Sequence, residues 1–326
     1  MVSINNRKFV FLYLILFFTL YGVYSYIVLN YKYMYMNIEY PMWDNVKSVI
    51  SNNNKNNYNV LYIGDSRAKA GFIPNLFNKE HIKSVNLALG GGTPIEGYYT
   101  LKEYLKNNIT PKYIILSYSP FHLAKQDVFW HRTVRFNFLD IKKLNEIINA
   151  SSEIEVSNAT LGSKDKVLDY YIYTGKYMRE FVIGILEKRW GQYFDTINNL
   201  EKSNGHHYFG KLNLSNGLNA EVKMAKFTPS ILLSLYLDKL LELGKKNNIK
   251  IYYYTMPFNK SSFDKMNSSF KNNYNKYIKL LGDRYNMTVL NKLYYLENEN
   301  FGDSSHLFYG AEKVTLEIKN RFFSKQ

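Results

Sequence analysis

Hydrophobic and polar positions divide this chain into two regimes. Residues 9–29, FVFLYLILFFTLYGVYSYIVL, hold no charged side chain. Wound as a helix they extend ~31 Å, enough to cross the hydrocarbon core of a bilayer. From about residue 58 onward, short apolar runs alternate with longer stretches whose apolar positions recur every three or four residues. The short runs predict strands at Asn59–Ile63, Lys83–Leu87, Tyr113–Ser117, Lys250–Thr255 and Met287–Leu290. The longer ones predict helices near 97–107, 229–245, 262–281 and 309–323. Segment 231–244, ILLSLYLDKLLELG, is broken by Asp238 and Glu242, so it predicts an amphipathic helix rather than a second span. Strands alternating with helices predict the α/β class, here a three-layer α/β/α sandwich around a mainly parallel five-stranded sheet. Such sheets bind ligands at the carboxyl ends of their strands.

Two segments fall outside this rhythm. Residues 30–57 end in SNNNKNN and predict a polar connector. The interval 121–228, rich in Tyr, Arg and Asn, predicts a long, largely helical insertion between the third and fourth strands, lying over the carboxyl-end face. The expected organisation is therefore a short tail (1–8), an apolar anchor (9–29), a connector (30–57) and one α/β domain (58–326) with its insertion.

Charge orients this arrangement. Arg7 and Lys8 immediately precede the apolar run, which by the positive-inside rule keeps the N-terminus in the cytoplasm and exports the rest. Tyr21, Tyr24, Tyr26, Tyr31 and Tyr33 gather toward the far end, as an interfacial aromatic belt does. A cleaved signal peptide is the alternative, but the run is long for one and no small-x-small site follows it. The expected location is thus a cell membrane, crossed once, with the α/β domain outside the cytoplasm. The formal net charge is +15, but the lysines are scattered and no nucleic-acid-binding module is present, so nucleic acid is not the expected partner. A membrane or an anionic envelope polymer accommodates the same charge. There is no cysteine, which excludes disulfides and cysteine-based metal sites.

Three stretches carry candidate chemistry. In YNVLYIGDSRAKAG (58–71) the first strand stops at Gly64-Asp65-Ser66. A serine just beyond a strand's carboxyl end is placed to act as a nucleophile, given a base and an oxyanion site. The same tripeptide also suits a capping turn. In VNLALGGGTPIEGYYTLKEYL (85–105) a strand runs into three glycines, followed by Thr93-Pro94-Ile95-Glu96, a capping box with Pro at the first helical position. That place presents backbone N–H groups to an anion, or the glycines merely shape the turn. In FGDSSHLFYGAEKV (301–314) Asp303 precedes His306 by three residues. Asp303 can then bond Nδ1–H and leave Nε2 as a base, or serve as the N-cap of the C-terminal helix.

Together these stretches resemble the SGNH (GDSL-like) hydrolases, through GDS at 64–66, NLALGGGT at 86–93 and DSSH at 303–306, in the family's order. The resemblance implies the family's flavodoxin-like fold, Ser66 as nucleophile, His306 as base and Asp303 as its partner. It also implies oxyanion donation from the N–H groups of Ser66 and Gly91. No cofactor and no metal are expected. The chain departs from the family at the third block, whose Gly-x-Asn-Asp is replaced by LSYSPFH, so that Ser119 falls near the position of the oxyanion Asn. Pro74 departs too, and is expected to delay the helix that follows the serine.

With its apolar anchor, the chain is similar in architecture to a membrane-tethered branch. That branch includes the lipoteichoic acid D-alanylation protein and alginate or peptidoglycan O-acetylation proteins. The branch implies a membrane-bound O-acyltransferase as partner and a carbohydrate or wall polymer as substrate. Expected, then, is an extracytoplasmic serine O-acyltransferase or acyl-esterase. The alternative is a non-catalytic protein that keeps the fold to hold polymer or acyltransferase.

Other polar residues follow the third strand in FHLAKQDVFWHRTVRF. Here His122 and Arg132 are candidates to hold an anionic or sugar substrate, or else lie on a solvated helix face. Arg67 offsets charge on Asp65 or on the substrate. His206-His207 lacks helical ligand spacing and predicts a loop.

Overall fold

The computed structural model describes residues 4–51, 57–154, 161, 167, 170, 171 and 174–325. The anchor segment forms one helix, α1 (Ile4–Asn30). It is long and apolar enough to cross a membrane. Side chains from Phe9 to Leu20 project from the rest of the molecule.

The connector is not a linker. It contains α2 (Tyr40–Ser51), whose Trp43 and Val46 are fully buried. Tyr40, Met42, Trp43, Val46 and Ile50 recur at helical spacing and all bury. Their three- and four-residue intervals were masked by the polar tail of the segment, and burial of this apolar face makes α2 part of the domain. Residues 52–56 lie outside the described chain.

The helices that follow are α3 (Ser66–Gly71), α4 (Pro74–Phe77), α5 (Pro94–Asn107), α6 (Pro120–Ala124) and α7 (Ile141–Ile154). After them come α8 (Met178–Leu186), α9 (Arg189–Lys202), α10 (Ile231–Lys246), α11 (Lys260–Lys265), α12 (Ser268–Tyr285) and α13 (Ala311–Phe323). The strands are β1 (Val60–Gly64), β2 (Ser84–Asn86), β3 (Tyr113–Ser117), β4 (Lys250–Tyr253), β5 (Phe258–Asn259), β6 (Thr288–Val289) and β7 (Tyr295–Leu296). Five of them form a wholly parallel sheet in the order β2-β1-β3-β4-β6, while β5 and β7 form a small parallel pair. Alternation along the strands builds the two cores. Leu61 and Ile63 face the layer of α2, α5, α10 and α12, while Val60 and Tyr62 face the layer of α3, α4 and α13. The protein is thus α/β with three layers, as the pattern predicts.

Details differ from expectation. The helix predicted at 262–281 is two helices, because Asn259 and Asn267 each cap a new start. Pro74 does not delay the helix after the serine. That helix begins at Ser66 itself, ends at Gly71, and Pro74 opens a second short one. The insertion is largely helical where described, through α6, a π-helical turn at Phe129–Val134, α7, α8 and α9.

Candidate active site

The site grows from the end of β1. At Gly64 a Cβ would stand 2.0 Å from the Ser117 carbonyl oxygen, so only glycine lets β1 and β3 lie this close where the chain turns. Asp65, fully buried, then caps α3 by accepting from the N–H groups of Arg67 (3.0 Å) and Ala68 (3.4 Å). The capping reading and the nucleophile reading are therefore compatible: Asp65 caps, and Ser66 opens the helix. Among the described residues the Ser66 hydroxyl makes no hydrogen bond, and its side chain lines a cavity of about 220 Å³. Asn86, at the end of β2, anchors α3 from the other side by donating to the carbonyls of Ala68, Lys69 and Phe72.

Ser304, Ser305 and His306, from the loop before α13, also line the cavity. Asp303 Oδ2 lies 2.7 Å from His306 Nδ1, and its Oδ1 accepts from the N–H groups of Ser305 and His306, each at 2.7 Å. Burial disfavours the Asp303 carboxylate, but the histidine bond, its charge and these N–H groups outweigh that and hold its pKa below the ordinary value. Asp303 is not a helix N-cap, since α13 begins at Ala311 after Gly310. The Phe209 ring stacks on His306 with centroids 4.2 Å apart. His306 Nε2 is buried and has no hydrogen-bond partner among the described residues. Ser66 and His306 line the same cavity, and neither the Ser66 hydroxyl nor His306 Nε2 has a hydrogen-bond partner among the described residues.

A second histidine, His122, lines the same cavity and is held from behind by the buried Asp65. Asp65 Oδ2 lies 2.9 Å from His122 Nδ1 and accepts the Ser119 N–H at 2.7 Å. Burial raises the pKa of Asp65, but the hydrogen bond and charge of His122, the Arg67 charge and the Ser119 bond outweigh it and hold the group ionised. Sequence reasoning singled out His122 but missed its partner. The signal was Asp65 beside the β1 terminus and His122 just beyond β3, neighbouring strands in the sheet.

The remaining candidates separate. Arg67 answers to two carboxylates. Its Nη2 lies 2.9 and 3.1 Å from the Glu221 oxygens, its guanidinium sits 4.2 Å from the Phe258 ring centroid, and its charge favours ionised Asp65. Glu221 comes from the insertion and was not foreseen; with Leu218, Asn219 and Ala220 it roofs the cavity. Ser119 lines the cavity, but its N–H is spent on Asp65 and its hydroxyl caps α6 while touching His122 Nδ1 at 3.1 Å. Gly91 and Arg132 are not among the residues lining the cavity. Gly91 has φ +70°, and a Cβ there would stand 2.3 Å from Arg132 Nη1. Arg132 is itself paired with Glu39, with Nη2 at 2.7 Å from Oε1. The Gly turn is therefore a bed for Arg132, and Arg132 ties the insertion to the segment before α2.

His206 and His207 sit in a loop. His206 Nε2 donates to the Ala70 carbonyl at 3.0 Å, and burial pushes its pKa down to about 4. No group of three or more metal-ligating side chains occurs among the described residues. A larger cleft of about 600 Å³ is lined by Thr255, Asn275, Lys276, Lys279, Asn291 and Arg321 among others, and holds none of the candidate residues.

No curated protein matches the chain. A protein family described as "Protein of unknown function (DUF1574)" matches residues 4–310, from α1 through the Asp303–His306 loop. That match takes in nearly the whole molecule, and the chain belongs to this family.

Proposed function

We propose that the protein is a membrane-anchored, extracytoplasmic serine acyl-transfer enzyme of SGNH type, an O-acyltransferase or acyl-esterase acting on an envelope carbohydrate or polymer. One observation carries the reading: Ser66 and His306 line one cavity, with His306 held through Nδ1 by Asp303 and its Nε2 buried without a partner among the described residues. In the proposed reaction Ser66 Oγ attacks an acyl carbonyl and gives its proton to His306 Nε2. Asp303 fixes the ring and favours the imidazolium. The Ser66 N–H, at the first turn of α3, supports the oxyanion. His122 lines the same cavity and supplies the second polar contact in place of the absent Asn; Gly91 is not given that role. Collapse expels the donor's leaving group, which takes the proton from His306. An acceptor hydroxyl, or water, then attacks the acyl-serine while His306 takes its proton, and Ser66 is released with its own proton restored.

Outside the cytoplasm there is no acetyl-CoA, so the acyl group must come from a membrane-bound acyltransferase partner or from esters already on the polymer. A tether keeps the cavity beside such a donor. The test is turnover of an aryl acetate by the full-length protein and its Ser66→Ala variant. The expected loss is on the order of 10³-fold or more. Equal turnover by the variant removes Ser66 from the chemistry and leaves the non-catalytic binding role.

A further inference from the structure

Helix α8 has one face that nothing among the described residues covers. Its inner edge is packed. Phe181 meets the rings of Tyr24 and Tyr35 edge-on, with centroids 5.3 and 5.9 Å apart, and Gly184 is buried against Tyr35. The outer edge carries Met178, Val182 and Leu186, which the four-residue spacing places in one row. They are 45%, 49% and 76% exposed. Three apolar side chains thus stand in line and exposed on a nine-residue helix, uncovered by any described residue.

The place of α8 along α1 says what meets that row. Tyr24 donates to the Thr174 carbonyl at 2.8 Å, the hydroxyls of Ser25 and Thr174 are 2.8 Å apart, and Thr174 donates to Tyr21 at 3.1 Å. Thr174, Phe181 and α8 therefore contact α1 within its uncharged run, where Tyr24 stands ~8 Å before the end of that run. If α1 crosses a bilayer, α8 lies at the depth of its last turns. Helices lying in the membrane interface sit ~5–10 Å into the headgroup–acyl boundary. Arg179 and Lys188, both exposed, stand at this face and its end, where anionic headgroups are met.

We infer that α8 is a second membrane contact, lying in the lipid interface on the side where the α/β domain sits, with Met178, Val182 and Leu186 in the acyl boundary. The inference rests on α1 being a span and is independent of the chemistry at Ser66. One helix leaves a domain free to swivel about its anchor, and a second contact removes that freedom. The same insertion carries α8 and the Leu218–Glu221 segment that roofs the cavity, so the lipid contact sets the height of the cavity above the bilayer.

The chain has no cysteine, so single cysteines report their own surroundings. The full-length Val182→Cys and Leu186→Cys variants are labelled with an environment-sensitive nitrobenzoxadiazole probe. They are reconstituted in phosphatidylcholine–phosphatidylglycerol vesicles containing nitroxide-labelled lipid. Phe17→Cys in α1 serves as the inserted control, and Glu242→Cys, exposed on α10, as the aqueous one. The inference predicts blue-shifted, lipid-quenched emission at 182 and 186, with shallow nitroxides quenching more than deep ones, and none at 242. It is overturned if 17 is quenched while 182 and 186 behave as 242 does, which would leave that face to water or to a protein partner. It is overturned differently if 17 itself is unquenched, because α1 then does not span.

Discussion

At the scale of single residues the densest point is Asp65. It caps α3, holds the Ser119 N–H and binds His122, four contacts on one buried carboxylate. Asp65→Asn keeps the shape but cannot accept from all of these donors, and is expected to cost about 3 kcal/mol of stability near neutral pH. The sign with pH follows from its lowered pKa. The folded state binds a proton less readily than the unfolded chain, whose value is near 3.8. Asp65 therefore stabilises above that value and loses its contribution as pH falls through its folded pKa. Denaturant titrations of both proteins should show a gap that is full near neutrality and narrows in acid; a gap that widens in acid would contradict this. His122→Ala removes one partner of the buried Asp65 carboxylate and is expected to cost stability, and in the folded variant to lower kcat for aryl acetate by about 10²-fold with little change in KM. A KM effect alone would assign His122 to substrate binding instead.

At the scale of elements, the sheet was legible in the sequence because its strands are buried on both faces and read as apolar runs. The positions of Ser66, Asp303 and His306 were legible for a related reason, since Ser66 closely follows a strand and Asp303 and His306 precede the last helix. What was not legible depended on long-range pairing. Glu221 meets Arg67 across 154 residues and Glu39 meets Arg132 across 93, and no local spacing announces either. The same holds for α2, whose apolar face shows its purpose only against α5 and α9. Trp43 is 1% exposed, so Trp43→Ala is expected to destabilise the domain by about 3–5 kcal/mol. A chain starting at residue 58 lacks α2 altogether and should fail to fold cooperatively, whereas one starting at residue 31 should melt in a single transition. Identical melting of the two would return residues 30–57 to the role of a linker.

At the scale of the whole molecule, one apolar helix projects from an α/β domain, and Arg7 and Lys8 precede its uncharged run. The proposed topology puts everything beyond about residue 30 outside the cytoplasm. Protease added to intact spheroplasts should then digest the domain as it digests an exported control, while a cytoplasmic control survives. A protected domain would invert the topology and remove the argument for a membrane-bound acyl donor. The central claim, that Ser66 is an activated nucleophile, meets its most direct test in covalent labelling of the full-length protein by a fluorophosphonate probe. The account predicts one adduct, on Ser66, with labelling abolished in Ser66→Ala and slowed at least about 10²-fold in His306→Ala. No adduct on the folded protein, or an adduct whose rate is indifferent to His306, would contradict it.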